Sequence, residues 1–340
     1  MAKDKPNVKV ALIGCGYWGP NLARNFYQLP NAELVACCDL DPANLKRMEA
    51  LYPARLTTDL DAILSDPEIE AVALATPVGT HYQLAHKALT AGKHVLVEKP
   101  LTTSSADGQE LIEIARQQER VLMVGHVFEY NPAVLKIKEL IDEGQIGHVY
   151  YLYSNRVNLG RVQSDINVLW SIAPHDVSIA LFLLDEMPEE VSARGACYLN
   201  GRVEDVVFVN MFYTGGVMAH VQASWLDPSK VRRMTVVGSE KMILYDDVAS
   251  EGKVRIYDKG VYRKGDAIYG EFQYKVHSGD IYIPKIDMSE PLRNECAHFI
   301  ECVRTGATPR TGGENGLRVV KVLEAAQHSL SQGGNAVRLG

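Results

Sequence analysis

The sequence predicts an α/β protein. We expect an N-terminal doubly wound domain with a parallel sheet over residues 1–125, and a C-terminal α+β domain with a large, mainly antiparallel open sheet over residues 126–340. A length of 340 residues is about twice the usual domain size. The first third of the chain alternates short apolar runs with amphipathic stretches, whereas later apolar runs follow one another with only turns between them.

The N-terminal domain is predicted from five apolar runs, which we interpret as strands at residues 8–13, 33–38, 71–75, 94–97 and 121–124. Amphipathic patterns between them predict helices at residues 20–29, 42–51 and 81–91. Continuous runs of Val, Ile and Leu are typical of parallel strands that are covered on both faces. Strands and helices in this order predict a doubly wound sheet.

After Gly125 the order of predicted helices and strands changes, which marks the C-terminal domain. We predict helices at residues 132–142, 174–184, 291–305 and 314–332, and strands at residues 148–155, 191–199, 205–213, 217–225, 230–237 and 241–245. Turns such as Thr214-Gly215-Gly216 separate successive strands without a crossover helix, which favours antiparallel pairing.

Composition and charge exclude several classes of function. The chain has 35 Lys and Arg against 42 Asp and Glu, a net charge of -7, so we expect no nucleic-acid partner. No apolar run approaches the roughly 18 residues of a membrane span, and no apolar signal core is seen, so we expect a cytoplasmic protein without a membrane partner. The six cysteines form no Cys-x-x-Cys pair and the histidines have no metal-ligand spacing, so we expect reduced thiols and no metal site.

The strongest motif is Gly14-Cys15-Gly16-Tyr17-Trp18-Gly19, because it follows a predicted strand and opens a predicted helix. In this setting Gly14 permits a tight turn, Gly16 lets a pyrophosphate approach the backbone, and Gly19 lets helix and strand pack closely. Asp39 ends the second strand, where a carboxylate would accept hydrogen bonds from ribose hydroxyls. The motif predicts NAD as cofactor, with Tyr17 and Trp18 in the binding turn. The alternative is a glycine-rich turn that binds nothing.

Two later loops also follow predicted parallel strands, where ligands bind in open α/β sheets. They make five residues candidates to surround the nicotinamide: Thr76, Pro77, His81, Glu98 and Lys99. By position alone Lys99 is as consistent with a solvated charge as with a catalytic group. His81 is better interpreted as a helix-start residue or a cofactor contact than as a base.

Several of these stretches resemble the glucose-fructose oxidoreductase and inositol dehydrogenase (Gfo/Idh/MocA) family. The similar stretches are residues 14–19, Ala75-Thr76-Pro77-x-x-Thr80-His81, residues 91–95, Glu98-Lys99-Pro100, Val124-Gly125-His126 and the tail from residue 295 to 320, so the resemblance covers nearly the whole chain. It implies that Lys99 lies beside the reacting hydroxyl or carbonyl and that the Lys99–Pro100 peptide bond is cis.

The resemblance also implies an Asp-x-x-x-His pair near the start of the second domain, with the histidine facing the substrate. His175 fits the histidine, but Ser171 stands in the place of the aspartate. The two share a face only if the segment is one helix, and serine cannot carry negative charge. Asp176 is the other candidate for that charge. The alternative for His175 is a structural residue at a helix start.

The stretch from Ser154 to Arg161, with Asn167 further on, looks like the nucleotide-sugar and 3-keto-sugar branch of the family. We therefore expect Arg156, Asn158 and Asn167 to bind substrate, together with Lys99, Ser171 and His175. Arginine suits carboxylate or diphosphate recognition, but a solvated strand face is an equal alternative for these residues.

Together these expectations indicate an NAD-dependent sugar dehydrogenase or reductase acting on CH–OH groups, with a sugar, nucleotide sugar or uronate as substrate. Catalysis is assigned to Lys99, His175 and Asp176. One alternative is an enzyme that keeps NAD bound and uses it transiently, as aldose-aldose oxidoreductases and NAD-dependent glycosidases do. Another is a non-catalytic dinucleotide sensor, for which Ser171 is the sequence argument. A homodimer or homotetramer is expected, because the helices cover only one face of the second sheet.

Overall fold

The computed structural model describes residues 6–160, 162–163, 166–199, 201–263 and 274–339. The chain divides into two compact units, each made of two segments. The first comprises Met1–Tyr130 and Ser289–Lys321, and the second comprises Asn131–Met288 and Val322–Gly340. Arg161 lies outside the described residues.

The first unit contains a parallel sheet of six strands in the order β3-β2-β1-β4-β5-β6. Its strands are β1 (Val8–Ile13), β2 (Ala32–Cys38), β3 (Arg55–Thr57), β4 (Ala71–Leu74), β5 (His94–Glu98) and β6 (Leu122–Gly125). Its crossover helices are α1 (Gly19–Gln28), α2 (Pro42–Glu49), α3 (Leu60–Leu64), α4 (His81–Thr90) and α5 (Ser105–Gln117). The predicted doubly wound fold is confirmed, and the order reverses between β1 and β4, where such sheets bind ligands.

The central strands of this sheet are buried on both faces, because their residues are apolar without alternation. In β4, for example, all four residues are buried. Side chains of α1 pack on one face of the sheet together with the helix at Pro291–Thr305, and Phe26 meets Phe299 edge to face with ring centroids 6.3 Å apart.

The second unit is built on a mixed, mainly antiparallel sheet of nine strands, as expected, in the order β14-β13-β12-β11-β7-β10-β9-β8-β15. The strands are β7 (Val149–Val157), β8 (Glu190–Ala196), β9 (Val206–Phe212), β10 (Met218–Ser224), β11 (Val231–Gly238), β12 (Met242–Asp246), β13 (Val254–Arg263), β14 (Tyr274–Tyr282) and β15 (Val337–Arg338). The helices are α6 (Pro132–Asp142), α7 (Val168–Ser171) and α8 (Ala173–Leu184). Among the described strands of this second sheet, only β7 and β10 pair in parallel.

Two C-terminal helices complete the chain: α9 (Pro291–Thr305) and α10 (Gly313–Ser331). The sequence assigns all of residues 126–340 to one domain, but α9 and the first part of α10 belong to the first compact unit. The reason is the apolar face of α9, where Leu292, Cys296 and Phe299 join the core that contains β1 and α1. Among the described residues, no helix is long and apolar enough to cross a membrane.

Candidate cofactor and substrate sites

The glycine turn after β1 has the geometry that a dinucleotide requires. Gly14 has a φ of +92°, and a Cβ there would lie 2.7 Å from the carbonyl carbon of Ala75. A Cβ on Gly19 would lie 2.1 Å from the carbonyl oxygen of Gly14, so only glycine lets α1 begin so close to the strand. Nothing lies within 4 Å of a Cβ on Gly16, which leaves its backbone open to a ligand.

The start of α1 is suited to bind an anion. Trp18 is the N-cap residue and makes no side-chain capping bond, and no acidic residue lies in the first turn. The free N–H groups and the positive end of the helix dipole therefore favour a phosphate. Tyr17, beside Gly16, is strongly exposed. The turn thus fits the diphosphate of NAD.

Asp39 follows β2 and holds the same turn. One carboxylate oxygen accepts a hydrogen bond from the Cys15 N–H at 2.6 Å, and the other accepts from the Asp41 N–H at 2.8 Å and the Asn44 amide at 3.1 Å. The carboxylate is thereby fixed at the strand end where an adenosine ribose would bind. Sequence reasoning missed Asn44 and also Arg47, whose guanidinium lies 3.4 Å from the Cys15 carbonyl oxygen. Asn44 and Arg47 are three residues apart on α2, which closely follows Asp39, so their side chains share a face of the helix. This spacing could have identified them from the sequence.

The loops after β4 and β5 are joined by His81. Its Nδ1 lies 2.8 Å from the Pro100 carbonyl oxygen and its Nε2 lies 3.0 Å from the Thr76 carbonyl oxygen. The ring is buried, and burial lowers its pKa, so His81 is a neutral imidazole that donates to one carbonyl at a time. His81 therefore fixes the loop of Thr76 and Pro77 and begins α4, which agrees with its interpretation as a helix-start residue. Its contact with the cofactor stays a prediction.

Glu98 connects the strand end to the glycine turn. Its Oε1 accepts the indole N–H of Trp18 at 2.5 Å, and its Oε2 accepts the backbone N–H of Lys99 at 3.3 Å. The Lys99–Pro100 bond is cis, as the resemblance implies. Burial raises the pKa of Glu98 to about 7, against the opposing charge of Lys99. This carboxyl group thus links the end of β5 to Trp18 of the glycine turn.

In the second unit, Ser171 and His175 do not lie on one helix. Ser171 ends α7, and Ile172, with φ of -111°, separates it from α8. Both residues are half-buried. The single helical stretch considered from the sequence is broken because Pro174 favours a new helix start at its position.

Asp176 forms a buried ion pair with Arg156, whose Nε and Nη2 both approach the carboxylate. Only 7% of the Arg156 side chain and 4% of the Asp176 side chain are exposed. Breaking such a pair leaves a buried charge uncompensated. The pair joins β7 to α8. The substrate role of Arg156 and the catalytic role of Asp176 stay predictions.

The other candidate substrate residues are also held by protein groups. The Asn167 side chain caps α7 through Oδ1, which accepts from the Trp170 N–H, while its amide donates to Glu204 and Gln327. Asn158 is half-buried after β7, and its N–H donates to the Ser224 carbonyl at 3.3 Å. The predicted substrate role of Asn158 stays a prediction, and Asn167 acts here as a capping residue.

The comparisons with known proteins agree with this architecture. Residues 8–126 match the model of the oxidoreductase family with an NAD-binding Rossmann fold, and residues 134–244 match the GFO/IDH/MocA C-terminal domain. A 2,7-anhydro-N-acetylneuraminate hydratase of Mediterraneibacter gnavus is 31% identical over 61% of this chain and 59% of its own length. The match thus spans about three fifths of that relative.

Two further relatives act on or bind nucleotide sugars. A UDP-N-acetylglucosamine 3-dehydrogenase of Acidithiobacillus ferrooxidans is 26% identical over 75% of this chain and 78% of its own. The structure of the WlbA dehydrogenase of Bordetella pertussis, in complex with NADH and UDP-GlcNAcA, has a TM-score of 0.80 at 23% identity, covering 98% of this chain and 99% of that one. From the two family models, the glycine turn and the two sheets, we conclude that the chain is an NAD-binding member of the GFO/IDH/MocA oxidoreductase family.

Proposed function

We propose that this protein is an NAD(H)-dependent oxidoreductase that transfers hydride to or from a ring carbon of a sugar, with nucleotide sugars and uronates as the first substrate classes to test. The observation that carries the proposal is the position of Lys99 directly after β5, next to Glu98, whose carboxyl group accepts the indole N–H of Trp18 in the glycine turn. The dehydrogenase relative named above supports a nucleotide sugar as substrate.

Each residue has a separate role in the proposed reaction. In oxidation, the amine of Lys99 takes the proton of the substrate hydroxyl, and the carbon that bears this hydroxyl loses hydride and becomes a carbonyl. In reduction, Lys99 returns the proton. The nicotinamide supplies the hydride acceptor or donor when it is bound. Asp39 and the glycine turn hold the adenosine and diphosphate, and His175 contacts the substrate in this proposal.

A screen of UDP-sugars, uronates and polyols with NAD, read at the nicotinamide absorbance and followed by product identification, tests the proposal. We expect NADH to form with at least one nucleotide sugar or uronate, and the product to be its keto sugar. Absence of a keto product and of NADH with every member of these classes would contradict it.

A second candidate is a reaction in which the cofactor is reduced and reoxidised within one turnover. The similarity to a hydratase favours it, because a hydratase adds or removes water without net oxidation. The same screen separates the two candidates: a changed sugar without net NADH supports the second, and stoichiometric NADH supports the first.

A further inference from the structure

Two side chains of opposite charge hold the glycine turn at Cys15. Asp39, directly after β2, accepts the Cys15 N–H at 2.6 Å. Arg47, in the last turn of α2, lies with Nη2 3.4 Å from the Cys15 carbonyl oxygen. One residue of the turn thus has a carboxylate at its N–H and a guanidinium at its carbonyl group. Both charges therefore lie at the turn that fits the dinucleotide.

Asn44 connects these two charges. Its amide nitrogen donates to Oδ1 of Asp39 at 3.1 Å, and its amide oxygen accepts from Nη2 of Arg47. The nitrogen and the oxygen of an amide are bonded to the same carbon, so one amide group separates the guanidinium from the carboxylate. A ligand group that meets the carboxylate of Asp39 is therefore also within reach of Arg47.

The guanidinium of Arg47 has donors available for a ligand. Within the part of the chain that the structure describes, its hydrogen-bond partners are Cys15 and Asn44, and Nη2 makes both contacts. Nε and Nη1 have no partner among these residues, and the side chain is exposed. A guanidinium presents five N–H donors in a fork that matches the oxygens of a phosphate. Arg47 can therefore bind a phosphate and keep its contacts with the protein.

The position of Asp39 indicates which phosphate Arg47 can reach. In doubly wound domains the acid after the second strand binds the 2'-hydroxyl of the adenosine ribose, and NADP carries a phosphate on that hydroxyl. A 2'-phosphate would therefore meet the carboxylate of Asp39, which repels it, and the guanidinium of Arg47, which attracts it. Leu40, the residue after Asp39, is strongly exposed and apolar, so it adds no charge at this place.

We propose that Arg47 binds the 2'-phosphate of NADP(H), so that the site accepts NADP(H) as a second, weaker cofactor while Asp39 sets the preference for NAD(H). Asp39 alone would exclude a 2'-phosphate, because like charges at close range repel each other strongly. Arg47 offsets this repulsion through charge-assisted hydrogen bonds. The proposal rests on the dinucleotide site and is independent of the substrate.

Calorimetric titration of the full-length protein with NADPH and with NADH tests the proposal. Arg47→Gln removes the charge and keeps an amide that can donate to the Cys15 carbonyl group, so NADH affinity should change little. NADPH affinity should fall by about tenfold or more, because hydrogen bonds to charged groups are among the stronger ones. Lys46→Gln is the matched control, since it removes the same charge from the neighbouring exposed position of α2 and should leave the ratio of the two affinities unchanged.

A second measurement removes the opposing charge of Asp39. Asp39→Ala should shift the affinity ratio toward NADPH, and adding Arg47→Gln to this variant should reverse most of the shift. Adenosine 2',5'-bisphosphate and AMP share the adenosine and the 5'-phosphate and differ in the 2'-phosphate, so titration with these two compounds confines the comparison to the adenosine end. We expect the bisphosphate to follow NADPH and AMP to follow NADH across the variants.

The ratio of NADPH to NADH affinity decides the proposal, and NADH binding shows that each variant is folded. Equal losses of both affinities in Arg47→Gln would overturn the proposal, since that result would mean that Arg47 only holds the glycine turn. A ratio that is unchanged in Arg47→Gln, or that falls as far in Lys46→Gln, would overturn it as well. So would the absence of measurable NADPH binding by both the unmodified protein and Asp39→Ala.

Discussion

At the scale of single residues, the Asp39 carboxylate fixes the glycine turn and is the group that we expect to bind the cofactor's ribose. Because a 2'-phosphate would meet this negative charge, Asp39→Ala should weaken NAD binding more than NADP binding, lowering the preference for NAD by tenfold or more, on the order of 1.4 kcal/mol. Fluorescence titration with NADH and NADPH measures the ratio. Asp41→Ala is the control: it removes the N-cap of α2, costs about 1 kcal/mol of stability, and should leave the ratio unchanged. Tighter binding of NADPH than NADH by the unmodified protein would contradict the assignment.

Lys99 is the residue on which the proposed chemistry depends. Lys99→Met keeps the length of the side chain and removes the acid-base group, so turnover should fall by 100-fold or more, within the range known for such groups. NAD affinity should change little, because the glycine turn and Asp39 are untouched. Steady-state kinetics and cofactor titration measure the two quantities. Lys87→Met, on the exposed side of α4, is the matched control. Near-full activity of Lys99→Met would contradict the proposed mechanism, but not the fold or the cofactor assignment.

Substitution of Asp176 tests whether its charge has a structural or a catalytic role. Asp176→Asn leaves Arg156 buried without its counter-charge, so we expect a loss of about 3–5 kcal/mol in the free energy of unfolding. Replacing both partners with apolar residues, as in Arg156→Met with Asp176→Leu, should recover most of the loss. Urea denaturation of the three proteins measures it. Unchanged stability of Asp176→Asn together with lost turnover would restore the catalytic role first expected from the sequence.

At the scale of elements, most strands of both sheets could be predicted. Those of the first sheet have uninterrupted apolar runs, and those of the second sheet follow one another with only turns between them. The strand β3 could not, since it has only three residues at the edge of the sheet. The strands β13, β14 and β15 of the second sheet were not predicted either. The start of α8 at Pro174 was predicted to within one residue, whereas the short helix α7 was not predicted. The burial of Glu295 could not be recognised from the sequence, since it depends on the packing of α9 onto the core that contains β1 and α1.

Glu129 lies in the 3-10 turn at Val127–Tyr130, directly after β6, and leads to a prediction on how stability depends on pH. Glu129 has a pKa of about 8 in the folded protein against 4.5 in the unfolded chain, so it stabilises the fold fully at low pH, and this stabilisation is lost as pH rises from 4.5 to 8. Glu129→Gln removes this dependence, so its stability relative to the unmodified protein should rise with pH by up to about 1.4 kcal/mol per unit in that window. Urea midpoints between pH 5 and 8 measure the difference. Glu314→Gln, an exposed glutamate at the start of α10, shows the effect of charge removal alone. A stability difference that stays flat or falls with pH would contradict the assignment.

At the scale of the whole molecule, we expect a homodimer or homotetramer formed through the helix-free face of the second sheet. The residues of β7 alternate, so that Leu152 and Ser154 lie on the helix-covered face, while Tyr151 and Tyr153 are about 40% exposed on the other and stack with centroids 6.3 Å apart. Phe208 and Met218 on neighbouring strands are also exposed. Exposed aromatic side chains grouped on one face of a sheet favour an interface with another protein surface.

A second copy of the chain is the proposed occupant of this face, because a flat, mixed polar and aromatic sheet surface can pair with itself about a twofold axis. Tyr153→Asp should place a charge in the middle of the interface and shift sedimentation toward the monomer at micromolar concentration, since burying an unpaired carboxylate costs several kcal/mol. Tyr198→Asp, on an exposed loop of the same unit, is the control and should sediment as the unmodified protein does. If the unmodified protein is a monomer at this concentration, or if both variants behave alike, the helix-free face is not the interface.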